Sequence, residues 1–211
     1  MQTVLVHMQH MQRGVEVCSI TGLENNDVSA WGSECLVQKF IENPLLILDC
    51  KFTFRCYVIV RRADREFFLH KKGKLYHCLE PFETGGRAAW ITSGYIEDAL
   101  IRDFPYTFEQ LQARFAWFAK VWDNIVECMK SFHKAVEPYL PPNPEELQNR
   151  EGVLLGIDVE VDADLVPWIL ETNIGPDMSF KNDVDTVLKE EVCKDFLALL
   201  DFAPCENVVR I

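Results

Sequence analysis

The sequence predicts an α+β fold with a mainly antiparallel sheet and flanking helices. Strand-like runs fill the first half of the 211-residue chain, a long helical period follows, and two further strand-like runs precede a final helical stretch. Strands grouped before helices, rather than alternating with them, are typical of the α+β class. Hydrophobic residues make up 48% of the chain, so it can bury a globular core.

Runs rich in β-branched and aromatic residues predict the strands of the first half, at 34–41, 52–60, 66–69 and 74–79. Together they predict an antiparallel meander. The last two runs are expected to pair across a turn at Lys71-Lys72-Gly73, because glycine favours tight turns. No structure is assigned to 83–104, where glycines mark loops.

The clearest helix signal begins at Thr107. Thr107 and Gln110 have the spacing of a capping box, in which each side chain bonds the backbone N–H of the other. Large apolar residues then recur every three or four positions up to Phe132. This predicts one amphipathic helix from about residue 108 to 135, ended by the proline-rich connector at 137–144. Strands at 153–161 and 167–170, linked through 162–164, and a helix at 184–200 complete the prediction.

The charge balance excludes several function classes. The chain has 21 Lys and Arg against 33 Asp and Glu, a formal charge of −12, which argues against nucleic acid and anionic membranes as partners. No run reaches the roughly 18 apolar residues of a membrane span. Basic clusters at 61–65 and 71–74 could approach an acidic partner, but ordinary solvated strand ends show the same pattern. The eight cysteines lack a C-x-x-C pair and a secretory signal, which predicts reduced thiols in a cytoplasmic protein.

Three oxygen-bearing side chains are predicted to meet at the second strand pair. Glu171 and Asn173 end a strand-like run and share one face of it, because side chains alternate along a strand. A hairpin centred at residues 164–165 would place Asp158 beside Glu171. Carboxylate and amide oxygens suit Mg²⁺, which leaves positions for water and phosphate. Alternatively, these acids pair with nearby Lys or Arg, or lie at a solvated sheet end.

Two cations are predicted on one face of the strand at 52–60 and the residue directly before it. Lys51 and Arg55 are four residues apart, with Thr53 between them on the same face. Near a metal site, they could neutralise the oxygens of a polyphosphate and of a phosphoryl transition state. Two exposed basic residues would look the same in sequence.

Four ordered motifs resemble those of the tubulin tyrosine ligase-like family of ATP-grasp ligases. They are Gln38-Lys39-Phe40-Ile41 before Asn43-Pro44, Lys51-Phe52-x-x-Arg55, Gly156-Ile157-Asp158, and Trp168-x-x-Glu171-x-Asn173-x-x-Pro176. The resemblance covers about residues 13–200. It implies an ATP-grasp-like fold whose N-terminal lobe is incomplete here, because 12–17 resemble the end of the glycine-rich phosphate loop. The implied organisation is a segment at 1–12 outside the family, a partial domain at 13–200 and a tail at 201–211.

The resemblance implies an ATP- and Mg²⁺-dependent ligase. ATP would phosphorylate a protein carboxylate, and the amine of a free amino acid would displace the phosphate. Tubulin, or another protein with an acidic tail, is the implied partner, in the cytoplasm or at microtubules or cilia. The sequence leaves the added group open among tyrosine, glutamate and glycine.

The family's residue roles transfer to matching positions. Gln38, Lys39, Phe40 and Ile41 resemble the hinge that meets adenine, with Lys51 and Asp158 as further cofactor contacts. Lys51 and Arg55 resemble the catalytic cations that face the phosphates and the acyl phosphate. Asp158, Glu171 and Asn173 resemble the Mg²⁺ ligands.

Three positions depart from the family pattern. Thr53 stands in place of an Asp, Tyr76 in place of an Arg, and Trp90-Ile-Thr-Ser93 in place of His-Leu-Thr-Asn. These changes fall on the amino-acid and phosphate side of the implied site, while the nucleotide and metal side is retained. They motivate an alternative hypothesis, a catalytically inactive binding or scaffold module, or a truncated form without function.

Overall fold

The computed structural model of the protein describes residues 3–7, 15–19, 36–92, 104–140 and 151–211. Three features named above lie outside these ranges: the loop-like residues 12–14, Ser93, and the proline-rich residues 141–144. Within the described residues, the α+β prediction is confirmed, with mostly antiparallel sheets and four helices.

A small sheet contains the first three strands, in the order β2-β1-β3. They are β1 (Thr3–His7), β2 (Val15–Ser19) and β3 (Leu36–Lys39). The central strand β1 runs antiparallel to both neighbours. Gln38 and Lys39 therefore lie in β3, and Phe40 follows directly after it.

The larger sheet is built around one long strand. Its order is β10-β6-β5-β8-β9, and β4 and β7 also pair with β5. The strands are β4 (Leu46–Ile47), β5 (Cys50–Arg61), β6 (Glu66–His70), β7 (Lys74–His77), β8 (Gly152–Val161), β9 (Pro167–Ile174) and β10 (Val208–Arg210). The predicted strands of this sheet are present, whereas β4 and β10 were not predicted.

The predicted pairing across Lys71-Lys72-Gly73 is wrong. β6 pairs with residues 58–61 of β5 and β7 pairs with 52–55, so the two short strands lie end to end along the same edge of β5. The 12 residues of β5 make it long enough to hold both. At Gly73 the backbone passes so close to Phe108 that a Cβ would lie 2.6 Å from the Arg55 carbonyl oxygen and overlap the Phe108 ring.

The helices are α1 (Arg87–Trp90), α2 (Phe108–Arg114), α3 (Phe118–Val136) and α4 (Asp183–Leu200), with short 3-10 turns at Phe82–Thr84 and Glu137–Tyr139. The capping box is confirmed: the Gln110 N–H donates to the Thr107 hydroxyl at 3.3 Å, and the Gln110 side chain accepts from the Thr107 N–H.

The prediction of one helix over 108–135 is wrong, because the chain leaves the helix at Phe115. Phe115 is extended, with φ −130° and ψ 110°, and α3 begins at Phe118. The Phe115 and Trp117 rings lie 5.2 Å apart, and both pack against the core. Residues two apart cannot share one face of a helix, so burying both rings together requires the break.

The two faces of β5 differ in what covers them. Alternate residues from Phe52 to Val60 point into the main core, which α2 and α3 complete. On the other face, α4 packs over Tyr57 and Ile59, which are buried with Leu188, Val192 and Leu199. The rest of that face carries Lys51, Thr53 and Arg55, and it is called the polar face below.

The turn between β8 and β9 is organised by Asp162. One of its oxygens accepts from the Asp164 and Val166 N–H groups at 3.0 and 2.9 Å, and the other accepts from the Trp168 indole at 3.0 Å. The predicted link through 162–164 is therefore a fixed turn that sets the register of the hairpin.

The helices and the cysteines can be compared with the predictions from composition. No helix in the described ranges is both long and apolar enough to cross a bilayer. The six cysteines whose side chains are described are free thiols: Cys50, Cys56, Cys78, Cys128, Cys193 and Cys205.

Candidate functional site

The register of the large sheet brings three predicted residues side by side on the polar face. Arg55 of β5 lies opposite Asp158 of β8, and Asp158 lies opposite Glu171 of β9. This is the hairpin register that the spacing predicts. A β-bulge follows at once, because Val159 lies opposite Ile169 and leaves Leu170 as the extra residue.

Asp158 is a buried carboxylate held by Arg55. The Arg55 Nε donates to Oδ1 at 2.5 Å and Nη2 donates to Oδ2 at 2.8 Å. Burial nevertheless raises the pKa of Asp158 to about 6; Arg55 opposes the rise, and the neighbouring Glu171 carboxyl adds to it. Arg55 therefore pairs with Asp158, and the Glu171 carboxyl lies beside that pair.

The Arg55 side chain passes close to Gly156, which has no side chain. A Cβ at Gly156 would lie 3.0 Å from Arg55 Nη1 and 2.7 Å from the Pro176 Cβ. The glycine thus leaves the space in which the guanidinium reaches Asp158, between β8 and the Gly175-Pro176 turn.

Glu171 and Asn173 lie beyond Asp158, toward solvent. The Asn173 amide donates to Glu171 Oε1 at 2.8 Å, a bond that does not use the amide oxygen. Arg55 occupies one lone pair on each Asp158 oxygen, and the Glu171 carboxyl lies within hydrogen-bonding reach of Asp158. The described residues contain no cluster of three or more His, Cys, Asp and Glu that could hold a metal. Two carboxylates and one amide still suit a hard cation such as Mg²⁺, which keeps several waters.

Lys51 is buried away from Arg55, at the start of β5. Its Nζ lies 2.8 Å from Glu160 Oε2, donates to the Trp90 carbonyl at 2.9 Å, and lies 5.0 Å from the centre of the Phe40 ring. Its exposed fraction is 3%. Lys51 therefore ties the predicted adenine hinge to the large sheet, and its predicted contact with phosphate stays a prediction.

Glu160 is a site residue that the sequence analysis missed. Burial raises its pKa, Lys51 opposes that rise, and its Oε1 has no hydrogen-bond partner within the described residues. The available signal was strand alternation, because Glu160 is two residues after Asp158 and must share its face.

An aromatic cluster surrounds the predicted hinge. Phe40 is buried, and its ring stacks on Phe82 at 6.1 Å and packs against Trp90 at 5.5 Å. Ile41 is half-buried, whereas Lys39 in β3 is exposed. Phe82 and Trp90 come from the region 83–104 and its border, and no structure is predicted for that region from the sequence.

Two of the departing residues lie on the polar face beside Arg55. Thr53 is opposite Tyr76 in the β5–β7 register, and its hydroxyl lies 3.2 Å from that of Thr92. The Arg55 guanidinium lies 5.1 Å from the centre of the Tyr76 ring. The face that carries Arg55 and Asp158 thus also carries two of the residues that depart from the pattern of the resemblance.

A second buried ion cluster, also missed from sequence, adjoins this site. The Asp185 carboxylate lies 3.0 Å from Lys74 Nζ and 2.6 Å from Lys189 Nζ, and accepts from the Tyr106 hydroxyl at 2.9 Å. Lys74 is directly opposite Arg55 in register. The cluster fastens the first turn of α4 to β7.

The side chains of the two basic clusters proposed as an approach surface bind partners within the chain. Most of their side chains meet a carboxylate: Arg61 with Asp64, Arg62 with Glu151, Lys72 with Glu191 and Glu109, and Lys74 with Asp185. Arg65 and Lys71 donate to the carbonyls of Glu137 and Glu206. These residues support the alternative given above, ordinary strand ends.

The sequence matches the model of the Tubulin-tyrosine ligase family over residues 2–100 and 102–209. The chain therefore belongs to the tubulin-tyrosine ligase family, and its α+β architecture is compatible with a partial ATP-grasp-like fold.

Similar curated proteins are tubulin polyglutamylases. The chain is 25% identical to tubulin polyglutamylase TTLL7 of Mus musculus, over 86% of this chain and 23% of that protein. It is 24% identical to TTLL11 of Mus musculus, over 79% and 28%, and 25% identical to TTLL5 of Homo sapiens, over 82% and 15%. The chain thus spans between 15% and 28% of the length of these three relatives.

Proposed function

We propose that the chain is part of an ATP- and Mg²⁺-dependent ligase that joins an amino acid to a protein carboxylate, with tubulin as the substrate. The observation that carries this proposal is the convergence of Arg55, Asp158 and Glu171 on the polar face. The family membership and the tubulin polyglutamylase relatives support the reaction and the protein substrate.

The proposed roles follow from charge and position. Asp158, Glu171 and the Asn173 oxygen would hold Mg²⁺, which when bound neutralises phosphate oxygens. Arg55 would place its remaining N–H groups toward the phosphates and the acyl phosphate, since a guanidinium has five donors and Asp158 uses two. Gln38, Lys39, Phe40 and Ile41 would line the adenine side, held in place by Lys51.

The proposed ligation needs no oxidant or reductant. A carboxylate oxygen of the protein substrate attacks the terminal phosphorus of ATP, and ADP leaves. The amine of the free amino acid then attacks the acyl carbon, inorganic phosphate leaves, and one proton is released from the amine. Arg55, which binds Asp158, and Lys74, which lies opposite Arg55 in register, could stabilise the developing charge on phosphate.

The test is calorimetric titration of ATP into the 211-residue chain, with and without Mg²⁺. Wild type should bind in a Mg²⁺-dependent manner, and Glu171→Ala should lose that dependence. Glu190→Ala, which removes an exposed acid on α4, is the matched control and should bind like wild type. Mg²⁺-dependent binding that survives in Glu171→Ala would contradict the metal assignment.

The amino acid and the acceptor require a second assay. The chain should incorporate labelled glutamate, tyrosine or glycine into purified tubulin in the presence of ATP and Mg²⁺, and the relatives favour glutamate. An association with microtubules is part of the same proposal. Binding of ATP without incorporation of any of the three would favour the second candidate.

The second candidate is a nucleotide-binding module that does not ligate. The observation that favours it is the state of Lys51, whose ammonium is taken up by Glu160, the Trp90 carbonyl and the Phe40 ring. Glu160→Gln separates the candidates, because it removes the charge that holds Lys51. A gain in incorporation by this variant would show that Glu160 restrains an active site, whereas unchanged nucleotide binding with no incorporation supports the binding module.

A further inference from the structure

The polar face carries two adjoining clusters of charged side chains. In the first, Arg55 pairs with Asp158, which lies opposite Glu171. In the second, Lys74 and Lys189 share the single carboxylate of Asp185, so positive charge is in excess. Because Arg55 and Lys74 lie directly opposite each other, the two clusters meet at that pair.

The positive excess cannot be absorbed by Asp185, which is saturated. Its Oδ1 accepts from Lys74 Nζ at 3.0 Å and from the Tyr106 hydroxyl at 2.9 Å. Its Oδ2 lies 2.6 Å from Lys189 Nζ and accepts from the Lys181 N–H at 3.2 Å. A carboxylate offers about four acceptor sites, and all are in use.

The uncompensated charge lies on the side of Lys74. Lys189 has a second acceptor, the Ser179 carbonyl at 2.6 Å. Apart from Asp185, Lys74 Nζ faces aromatic rings, 5.2 Å from the centre of Tyr76 and 5.8 Å from that of Tyr106. Such contacts offset a buried ammonium far less than a carboxylate does.

The Tyr76 ring contacts both cations. Its ring is half-buried and receives the Arg55 guanidinium at 5.1 Å and Lys74 Nζ at 5.2 Å. On the same face, the buried Tyr57 hydroxyl has no hydrogen-bond partner within the described residues. A charge excess and an unpaired donor therefore lie on the same stretch of the sheet as Arg55.

We propose that Lys74 and Arg55 together form a subsite for an oxyanion, a carboxylate or a phosphoryl group, bordered by the Tyr76 ring. The inference rests on the proposed function for its choice of ligands, because a ligase of this kind handles both a carboxylate and a phosphate. Lys74 is the specificity-determining residue of the subsite, and Asp185 is a positioning residue that fixes the Lys74 ammonium.

The ionisation of Lys74 agrees with this assignment. Burial lowers the pKa of Lys74 to about 8; Asp185 opposes the shift, and the nearby charges of Lys189 and Arg55 add to it. A bound oxyanion favours the charged ammonium. Anion affinity should therefore fall as the pH rises above about 8.

The experiment is calorimetric titration of the full chain with two probes, inorganic phosphate and L-glutamate. Lys74→Met should weaken binding of the preferred probe by about tenfold, the effect of losing one charged hydrogen bond. Lys74→Arg should retain the affinity and hold it to higher pH than wild type. Lys72→Met, the matched control, removes a partly exposed ammonium paired with Glu191 and should bind within about twofold of wild type.

The two probes show whether the anion comes from the nucleotide or from the amino acid. The Glu171 and Lys74 variants distinguish a failure of the subsite from a failure of the proposed function. Preference for phosphate assigns the subsite to the nucleotide, and preference for glutamate assigns it to the amino acid. Equal affinities in wild type and Lys74→Met, or no binding of either probe by folded wild type, would overturn the inference. If Mg²⁺-dependent ATP binding requires Glu171 but not Lys74, the proposed function is supported and the subsite is not. If anion binding requires Lys74 but ATP does not bind, the subsite is supported and the proposed function is not. Lys74→Met should stay folded, as thermal unfolding can check, because Asp185 retains Lys189 and Tyr106.

Discussion

The two faces of β5 are buried almost equally, but for different physical reasons. Phe54 on the core face has an exposed fraction of 0%, while Lys51 and Arg55 on the polar face have 3% and 9%. Phe54 packs against the rings of Phe108 and Phe118 from α2 and α3. Lys51 and Arg55 instead depend on single carboxylates of β8.

This difference separates residues that stabilise the fold from residues that do not. Burying a phenylalanine side chain contributes about 1.5–3 kcal/mol. A buried ion pair contributes little or nothing net, because desolvation offsets the attraction between the charges. Apolar residues at positions 51, 55, 158 and 160 together, which replace both partners of each pair, would stabilise the sheet at least as well. Their charges therefore point to a ligand rather than to stability.

The largest expected loss of stability comes from a substitution on the core face. Phe54→Ala should lower the free energy of unfolding by about 4 kcal/mol, because it removes a ring at the junction of β5, α2 and α3. Urea denaturation measures the loss. Leu79→Ala, at a side chain that is 53% exposed, is the control and should cost well under 1 kcal/mol. A Phe54→Ala cost no greater than that of the control would show that the core face does not carry the stability.

The next largest loss of stability comes from a substitution on the polar face, and its size should depend on pH. Arg55→Met should cost about 3 kcal/mol at pH 8, because Asp158 would be left charged and buried. The pKa of Asp158 is already raised to about 6, and losing Arg55 raises it further. At pH 5 the folded variant therefore holds Asp158 neutral, so the cost should be smaller than at pH 8. Urea denaturation at both values tests this, and a cost that does not change with pH would contradict it.

Local periodicity was enough to predict much of this arrangement. Alternation along β5 places Lys51 and Arg55 on one face, and the spacing between β8 and β9 sets Asp158 against Glu171. Both predictions depend on residues close together in sequence or on a short hairpin. Asp162, within that hairpin, fixes the turn by bonds to residues at most six positions away.

Features set by long-range packing could not be predicted in this way. Lys74 and Asp185 are 111 residues apart, and no local pattern indicates that they meet. The helix break at Phe115 depends on burying two rings in a core whose shape is set by other elements. The end-to-end placement of β6 and β7 depends on the length of β5 and on the close approach at Gly73.

A smaller change should damage the polar face while leaving the core face intact. Gly156→Ala should cost about 2 kcal/mol, because the new methyl group would overlap Pro176 and press on Arg55. Its larger effect should be on Mg²⁺-dependent ATP binding, since Arg55 and the turn after Asn173 must both move. Calorimetry and urea denaturation on the same sample measure the two effects. Unchanged ATP binding in a destabilised variant would show that the position of Arg55 does not matter for the site.

The smallest expected effect lies on the core side and should leave the polar face unchanged. Thr107→Ala removes the hydroxyl that accepts from the Gln110 N–H and should cost about 1 kcal/mol. Gln112→Ala, on the exposed side of α2, is the control and should be nearly neutral. ATP binding by Thr107→Ala should match wild type at temperatures where the variant is folded, because α2 packs on the face opposite Arg55. A loss of ATP binding larger than the loss of stability explains would mean that the two faces are coupled through β5, and that the core side takes part in positioning Arg55.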